Sequence, residues 1–177
     1  AAATLELLPR YSTRDALRGM EAFSHLWITF GFHQSTREHP PSSGSGATSW
    51  KATVRPPRLG GNAKVGVFAS RSTHRPNRLG LSLVELVEID TSQGVRLRLR
   101  GADLVDGTPV LDIKPYLPWA EARPEARAGF APEAPPTLAV SLSPGAEDVL
   151  ARRPDGDSLR ELILQVLAQD PRPAYRH

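Results

Sequence analysis

The stretch AFSHLWITFGFHQ, residues 22–34, decides the fold class. Leu26, Ile28, Phe30 and Phe32 fall on one side of an extended chain, and His25, Trp27, Thr29 and His33 on the other. A period of two belongs to a β-strand with one face in a core, since successive strand side chains point to opposite faces. His33-Gln34 then stands at the strand's end. Further along, GVRLRLRGADL (94–104) alternates again: Val95, Leu97 and Leu99 against Arg96, Arg98 and Arg100, a strand with an arginine face. LSLVELVEID (81–90) is apolar on both sides, which predicts a strand covered on both faces. KATVRPPRLGGNAKVGVFAS (51–70) reads as two short strands around RPPRLGGN, with the prolines at an edge or outside the ladder. TLAVSL (137–142) reads as a further strand.

Helical patterns are confined to the two ends. Ser12 to Met20 predicts a short helix with Ser12 or Thr13 as N-cap. Near the C-terminus, residues 146–152 and 158–168 look helical. Leu159, Leu162, Ile163, Val166 and Leu167 give an amphipathic stripe, and Ser158 with Glu161 a capping box. The connections are polar: a Pro/Gly/Ser-rich loop over 35–50, a turn at Asp106-Gly107, and a Pro/Ala-rich loop over 123–136. The chain ends in a basic, extended segment, AQDPRPAYRH. No internal repeat is present. These elements predict a mostly-β domain over residues 1–143 with a helical extension over 144–177.

The chain of 177 residues, 40% hydrophobic, suits one compact domain with a small appendage. It contains no cysteine, which excludes disulfides, thiolate metal sites and cysteine nucleophiles. No apolar run approaches the roughly 20 residues that span a bilayer. The start, AAATLELLPRY, lacks a basic leader with a long apolar segment. The expectation is a soluble, cytoplasmic protein without membrane partners. The net charge is +3, from 22 Lys+Arg against 19 Asp+Glu. Only Lys51, Lys64 and Lys114 are lysines, so arginine dominates. Arginine suits bidentate phosphate contacts and stacking on bases, although a GC-rich genome would produce the same bias.

Several chemistries are excluded by motif. There is no Walker pattern, no G-x-G-x-x-G opening a helix after a strand, and no G-x-S-x-G. The histidines, at 25, 33, 39, 74 and 177, have no metal-ligand spacing, so no metal is expected. Three polar clusters instead follow apolar strands: His33-Gln34; the connection in GVFASRSTHRPNRLGLS (66–82), with Arg71, His74, Arg75, Asn77 and Arg78; and GADLVDGTPVLDIKPY (101–116), with Asp103, Asp106, Asp112, Lys114 and Tyr116. The plain reading of the third is turn chemistry and an ordinary Asp–Lys pair on one strand face. The second exceeds what a turn needs. Strand ends that converge on one rim are where sheets place pockets.

Taken in order, AFSHLW…FHQ, VRPPRLGGN…GVFASRSTHRPN, LGLSLVEL, DLVDGTPVLDIKPYLPW and AQDPRPAYR resemble the bacterial TsaA-like (TrmO-type) tRNA N6-methyltransferases over nearly the whole chain. The resemblance implies a small single-sheet β-barrel that uses S-adenosylmethionine. It also implies N6-methylation of threonylcarbamoyladenosine beside the anticodon of threonine tRNA, by a homodimer. Cofactor contact is carried by resemblance onto His33, Gln34, Arg71, Leu81 and Asp103, with the adjoining Leu104 backbone. Asp112 and Tyr116 are candidate bases on chemistry alone, and Lys114 or Arg75 candidates to hold the threonyl carboxylate. His74, Arg75, Asn77 and Arg78 are candidates for the RNA side, and Arg96, Arg98 and Arg100, if exposed, would extend a phosphate footprint. The chain departs from the family at three places. The family's leading strand and Pro-Arg-Gln segment are expected ahead of Ala1. Arg78 stands in Arg75-Pro76-Asn77-Arg78-Leu79-Gly80 where the family has proline. The family also continues beyond RPAYRH into further strands. Two alternatives use the same residues: a non-catalytic tRNA-binding β-barrel, and a small-molecule binding barrel without an RNA role.

Overall fold

The computed structural model describes residues 2–36, 52–56 and 63–172. Residues 37–50 of the expected polar loop, 57–62 of the RPPRLGGN turn and 173–177 of the basic end lie outside them. Among the described residues the strands are β1 (Ala2–Glu6), β2 (His25–Gly31), β3 (Thr53–Val54), β4 (Val65–Gly66), β5 (Leu79–Asp90), β6 (Arg96–Arg100) and β7 (Val110–Pro115). The α-helices are α1 (Pro118–Glu121), α2 (Pro144–Ala151) and α3 (Gly156–Ala168). The chain packs as two units: Ala1–Lys51 with Arg71–Pro124, and Ala52–Ser70 with Glu125–His177.

The first unit is a five-stranded sheet in the order β1-β6-β5-β2-β7, every neighbouring pair antiparallel. Among the described residues the sheet is open, with β1 and β7 as its edges. One face is the core. Leu26 and Ile28 from β2, Val84 from β5 and Leu97 and Leu99 from β6 are buried there, with Leu5 of β1. The AFSHLWITFGF stretch therefore supplies the central inward stripe. Gly80 is opposite Phe30, and a Cβ at Gly80 would run into the Phe30 ring and come 2.9 Å from Phe32 Cζ. Glycine is needed there because two edge-to-face phenylalanine rings, 5.3 Å apart, fill the space above it.

Several expectations change. The N-terminal segment forms edge strand β1, with Ala3 and Leu5 turned toward the core. The expected helix over 12–20 is replaced by short 3₁₀ turns at Asp15–Leu17 and Met20–Ala22. Gly19 between them has φ +86°, a left-handed conformation that interrupts a helix. Of the two expected N-caps, Thr13 accepts the Ala16 N–H through its hydroxyl at 3.4 Å, whereas the Ser12 hydroxyl accepts the Val95 N–H at 2.7 Å, pinning this segment beside β6. β5 is covered on one face only, since Leu79, Leu81 and Leu83 are exposed.

In the second unit, β3 and β4 pair as expected. TLAVSL forms no strand, because the Leu138 N–H donates to Ala168 O at 2.8 Å, at the end of α3. The helix α3 starts two residues before Ser158, so the capping box is not formed; Ser158 Oγ donates instead to Asp155 O at 2.9 Å. Gly156 permits this early start, as a Cβ there would collide with the Leu150 carbonyl.

Candidate functional site

Three connections meet at one end of the sheet. The Gly31 N–H at the end of β2 donates to Pro109 O (3.0 Å), and the Phe32 N–H to Arg78 O (2.8 Å). His33-Gln34, the 75–78 turn and the approach to β7 are thereby held together. The 101–109 connection leaves β6 where Arg100 faces Glu85 and passes along β5. There the Ser82 hydroxyl donates to Asp103 Oδ1 at 3.2 Å, and Leu104 packs against the core. Four of the expected cofactor contacts, His33, Gln34, Asp103 and Leu104, are thus gathered toward this end. His33 and Leu104 are half-buried, Gln34 and Asp103 exposed.

The other two stand apart from them. Ser82 lies opposite the buried Ile28, so Asp103 approaches β5 from the core side. Leu81 points to the opposite, outer face, in a row with Thr29 and Asp112. Arg71 is exposed, and among the described residues no hydrogen bond or ion pair ties it to the sheet end.

The expected RNA-side residues form a turn. The Arg78 N–H donates to Arg75 O at 3.0 Å, and the His74 N–H to Ser72 Oγ at 3.1 Å. His74, Asn77 and Arg78 are exposed and Arg75 is half-buried. Arg78 has φ +52°, a conformation that costs a residue with a Cβ about 1 kcal/mol. A strained, exposed cation beside a polar rim is a feature that folding alone does not require.

Asp112, Lys114 and Tyr116 share the outer face of β7, but they do not surround one point. Four residues of strand span about 13 Å. Asp112, opposite Thr29, accepts the Ile113 N–H at 2.9 Å and lies nearest the rim. Lys114, opposite Trp27, has its Nζ 3.6 Å from Glu121 Oε1. Tyr116 lies toward the other end, edge-on to Trp27 (6.0 Å) and His25 (6.4 Å). The Leu117 N–H, donating at 2.8 Å, is the main influence that holds the Glu121 carboxyl below its ordinary range, aided by Trp27 and Lys114. Trp27 Nε1 is itself buried and short of hydrogen-bond geometry to any described residue.

The arginine face of β6 is exposed at Arg98 and Arg100 and half-buried at Arg96, and each arginine has a carboxylate beside it. Arg96 pairs with Glu6 (2.9 Å), Arg98 with Glu88 (3.4 Å) and Arg100 with Glu85 (3.1 Å). Each carboxylate comes from a neighbouring strand, so the stripe is locally neutralised. Ser82, Thr29 and Glu121 were not singled out by the sequence. Ser82 carried a signal, as the one hydroxyl within the apolar run LGLSLVEL; Glu121 carried none, because its partners depend on where α1 begins. Among the described residues, no group of three His, Asp or Glu side chains is arranged to hold a metal. No described helix is long and apolar enough to cross a membrane.

Sheet and rim together define a mostly antiparallel protein with a polar site at the strand ends, distinct from the doubly wound nucleotide-binding folds. Two sequence profiles match the chain: the tRNA-methyltransferase O N-terminal domain over residues 1–122 and the TrmO C-terminal domain over 135–177. The chain belongs to the tRNA-methyltransferase O family. It is 53% identical over 175 residues to the tRNA (adenine(37)-N6)-methyltransferase of Escherichia coli K12, covering 97% of this chain and 70% of that protein. It is 49% identical over 180 residues to a Pseudomonas aeruginosa protein assigned by name to the S-adenosylmethionine-dependent methyltransferases, covering 99% and 71%. The crystal structure of TrmO from P. aeruginosa superposes with a TM-score of 0.72 at 44% identity, covering 98% of this chain and 68% of that one.

Proposed function

We propose that this chain transfers a methyl group from S-adenosylmethionine to N6 of threonylcarbamoyl-modified adenosine beside the anticodon of threonine tRNA. The coarser class, a tRNA (adenine-N6)-methyltransferase, follows from the family and from 53% identity over almost the whole chain. The observation that carries the finer reading is the sheet end where the Asp103–Ser82 pair and His33-Gln34 stand beside the cationic 75–78 turn.

The donor set fits the cofactor. Asp103 engages the Ser82 hydroxyl through one oxygen and keeps the other to accept from a ribose hydroxyl. Leu104 offers apolar cover and backbone groups to the adenine; Arg71, which stands apart from these groups, would meet the carboxylate only on reaching toward the sheet end, and Leu81 faces the other side of the sheet. When bound, S-adenosylmethionine supplies an electrophilic methyl on a sulfonium. Positioning of the acceptor then supplies much of the rate. Asp112, with one oxygen on the Ile113 N–H, retains the other to take the proton that leaves N6, which requires the methyl to lie at the rim, between core-side Asp103 and outer-face Asp112. Lys114 or Arg75 holds the threonyl carboxylate, and His74, Asn77 and Arg78 face the RNA. Closure of the sheet into a barrel, homodimerisation, a cytoplasmic location and a boundary between residues 143 and 144 belong to the same proposal.

The test pairs calorimetric titration of S-adenosylmethionine with methyl transfer to threonine tRNA carrying or lacking the threonylcarbamoyl group. Cofactor binding lost in Arg71→Ala, transfer only to the modified tRNA, and turnover reduced about 10²-fold or more in Asp112→Asn are expected. Equal transfer to both tRNAs would remove the modified substrate. Binding of tRNA without any cofactor binding would leave a non-catalytic RNA-binding protein.

A further inference from the structure

At the far end of β7 from the rim, the chain exposes a tryptophan. The Trp119 side chain on α1 is 82% exposed, more than any other large apolar residue described. It is not on a loose loop. Pro118 fixes the first helical position, Ala120 and Glu121 donate their N–H groups to Leu117 O, and Ala122 donates to Pro118 O, each at 3.0 Å. The Glu121 side chain closes the turn by accepting the Leu117 N–H and tethers it to β7 through Lys114. A pinned helical turn thus holds a flat indole out in water.

We propose that Trp119 is a stacking platform for an unpaired base of the tRNA anticodon loop, at a nucleotide other than the methylated adenosine. This rests on the tRNA reading above. Trp119 sits on the turn that follows Tyr116 and is tied back to Lys114 through Glu121, on the strand exit rather than at the rim where Asp112 stands, so the base assigned to it is a neighbour of the one that reacts. Along this strand and its exit stand Tyr116 with Trp27 and His25, then Trp119 and the cation Arg123, while Lys114 is engaged by Glu121. That is the pattern of single-stranded nucleic-acid grooves, where rings take bases and cations take phosphates. Arg123 is exposed; among the described residues it makes no ion pair, and its Nη1 donates to Ala122 O at 2.7 Å. The surroundings also disfavour a protein partner. A stable interface buries about 800 Å² per side, while one indole offers at most about 250 Å². Besides Trp119, the turn exposes one large apolar side chain, Leu117; its other neighbours are Pro118, Ala120, Ala122 and Arg123.

The test is tRNA affinity of the full chain across a range of salt concentrations, by fluorescence anisotropy with labelled threonine tRNA. Trp119→Ala is expected to weaken binding about 10-fold, Trp119→Phe to stay within about 3-fold of wild type, and Trp119→Leu to match Trp119→Ala. The salt dependence should shift in parallel for these variants, since stacking releases no counterions, whereas Arg123→Gln should lower its slope by about one. Cofactor affinity and solution mass should not change. Rescue by leucine as good as by phenylalanine, a lower solution mass in Trp119→Ala, or unchanged tRNA affinity would each overturn the assignment. If the wild type itself binds no tRNA, the tRNA reading falls first and the role of Trp119 with it.

Discussion

The two faces of the five-stranded sheet are made from alternate residues of the same strands, yet they differ in what they lack. On the inner face Leu26, Ile28 and Leu97 have no exposure at all, and each apolar group meets another from a neighbouring strand. On the outer face Leu81 and Leu83 are 53% and 38% exposed, next to Thr29, Trp27, Asp112 and Lys114. Paired arginines and glutamates occupy the part of that face over β6. Strand period alone cannot distinguish two apolar stripes; what covers each one does. The inner face is completed by β1 and the 101–109 connection, whereas the outer face keeps leucines and ionisable groups side by side in water. Such a surface does little for stability and is available for ligands.

Four substitutions bear on this contrast, beginning with the largest expected effect on stability and its outer-face counterpart. Leu26→Ala on the inner face should cost about 2–5 kcal/mol, whereas Leu81→Ala on the outer face should cost less than about 1 kcal/mol, read by urea denaturation. Equal losses would mean that the outer face is covered in solution and that the contrast belongs to the isolated chain. Gly80→Ala should cost about 1–3 kcal/mol, because the Phe30 and Phe32 rings must move aside; a Tm equal to wild type would show that the rings are loosely held. Arg78→Gly should raise stability by about 1 kcal/mol while weakening tRNA binding. A change in the same direction for both would remove the argument that strain at Arg78 serves the RNA.

The smallest effect concerns pH. Glu121 is held below its ordinary value of 4.5, chiefly by the Leu117 N–H. Its contribution to fixing α1 is therefore complete above 4.5 and declines as pH falls through the lower value of the folded chain. Amide exchange of Leu117 should quicken, relative to the rest of the sheet, on acidification through that range, and Glu121→Gln should abolish the pH dependence. Exchange insensitive to pH in the wild type would show that Glu121 does not clamp the turn.

Much of the sheet was legible because its signals are local. The alternation in β2 and β6 reports burial directly, as does the absence of large polar groups at Leu26, Ile28, Leu97 and Leu99. The misreadings share a cause: a local preference lost to a distant partner. Ser12 looked like an N-cap but bonds Val95, 83 residues away. TLAVSL has strand composition, but its backbone is taken by the end of α3. The candidate site was legible in kind and not in arrangement. His33, Gln34 and Asp103 were recognisable as polar groups near strand ends. That Asp103 meets Ser82 while Leu81, its neighbour in sequence, faces the other way follows only from the pairing register.

By itself the sequence determined strands β2 to β6, the inward stripe, the polar connections between strands and the resemblance that names the family, because side-chain period and motif are properties of contiguous residues. The tertiary structure decided which strands adjoin, which carboxylate neutralises each arginine of β6, which end of the sheet collects the polar connections, and that Trp119 is presented on a pinned turn. Those outcomes depend on contacts between residues far apart in the chain, whose geometry is set by the order and register of the strands.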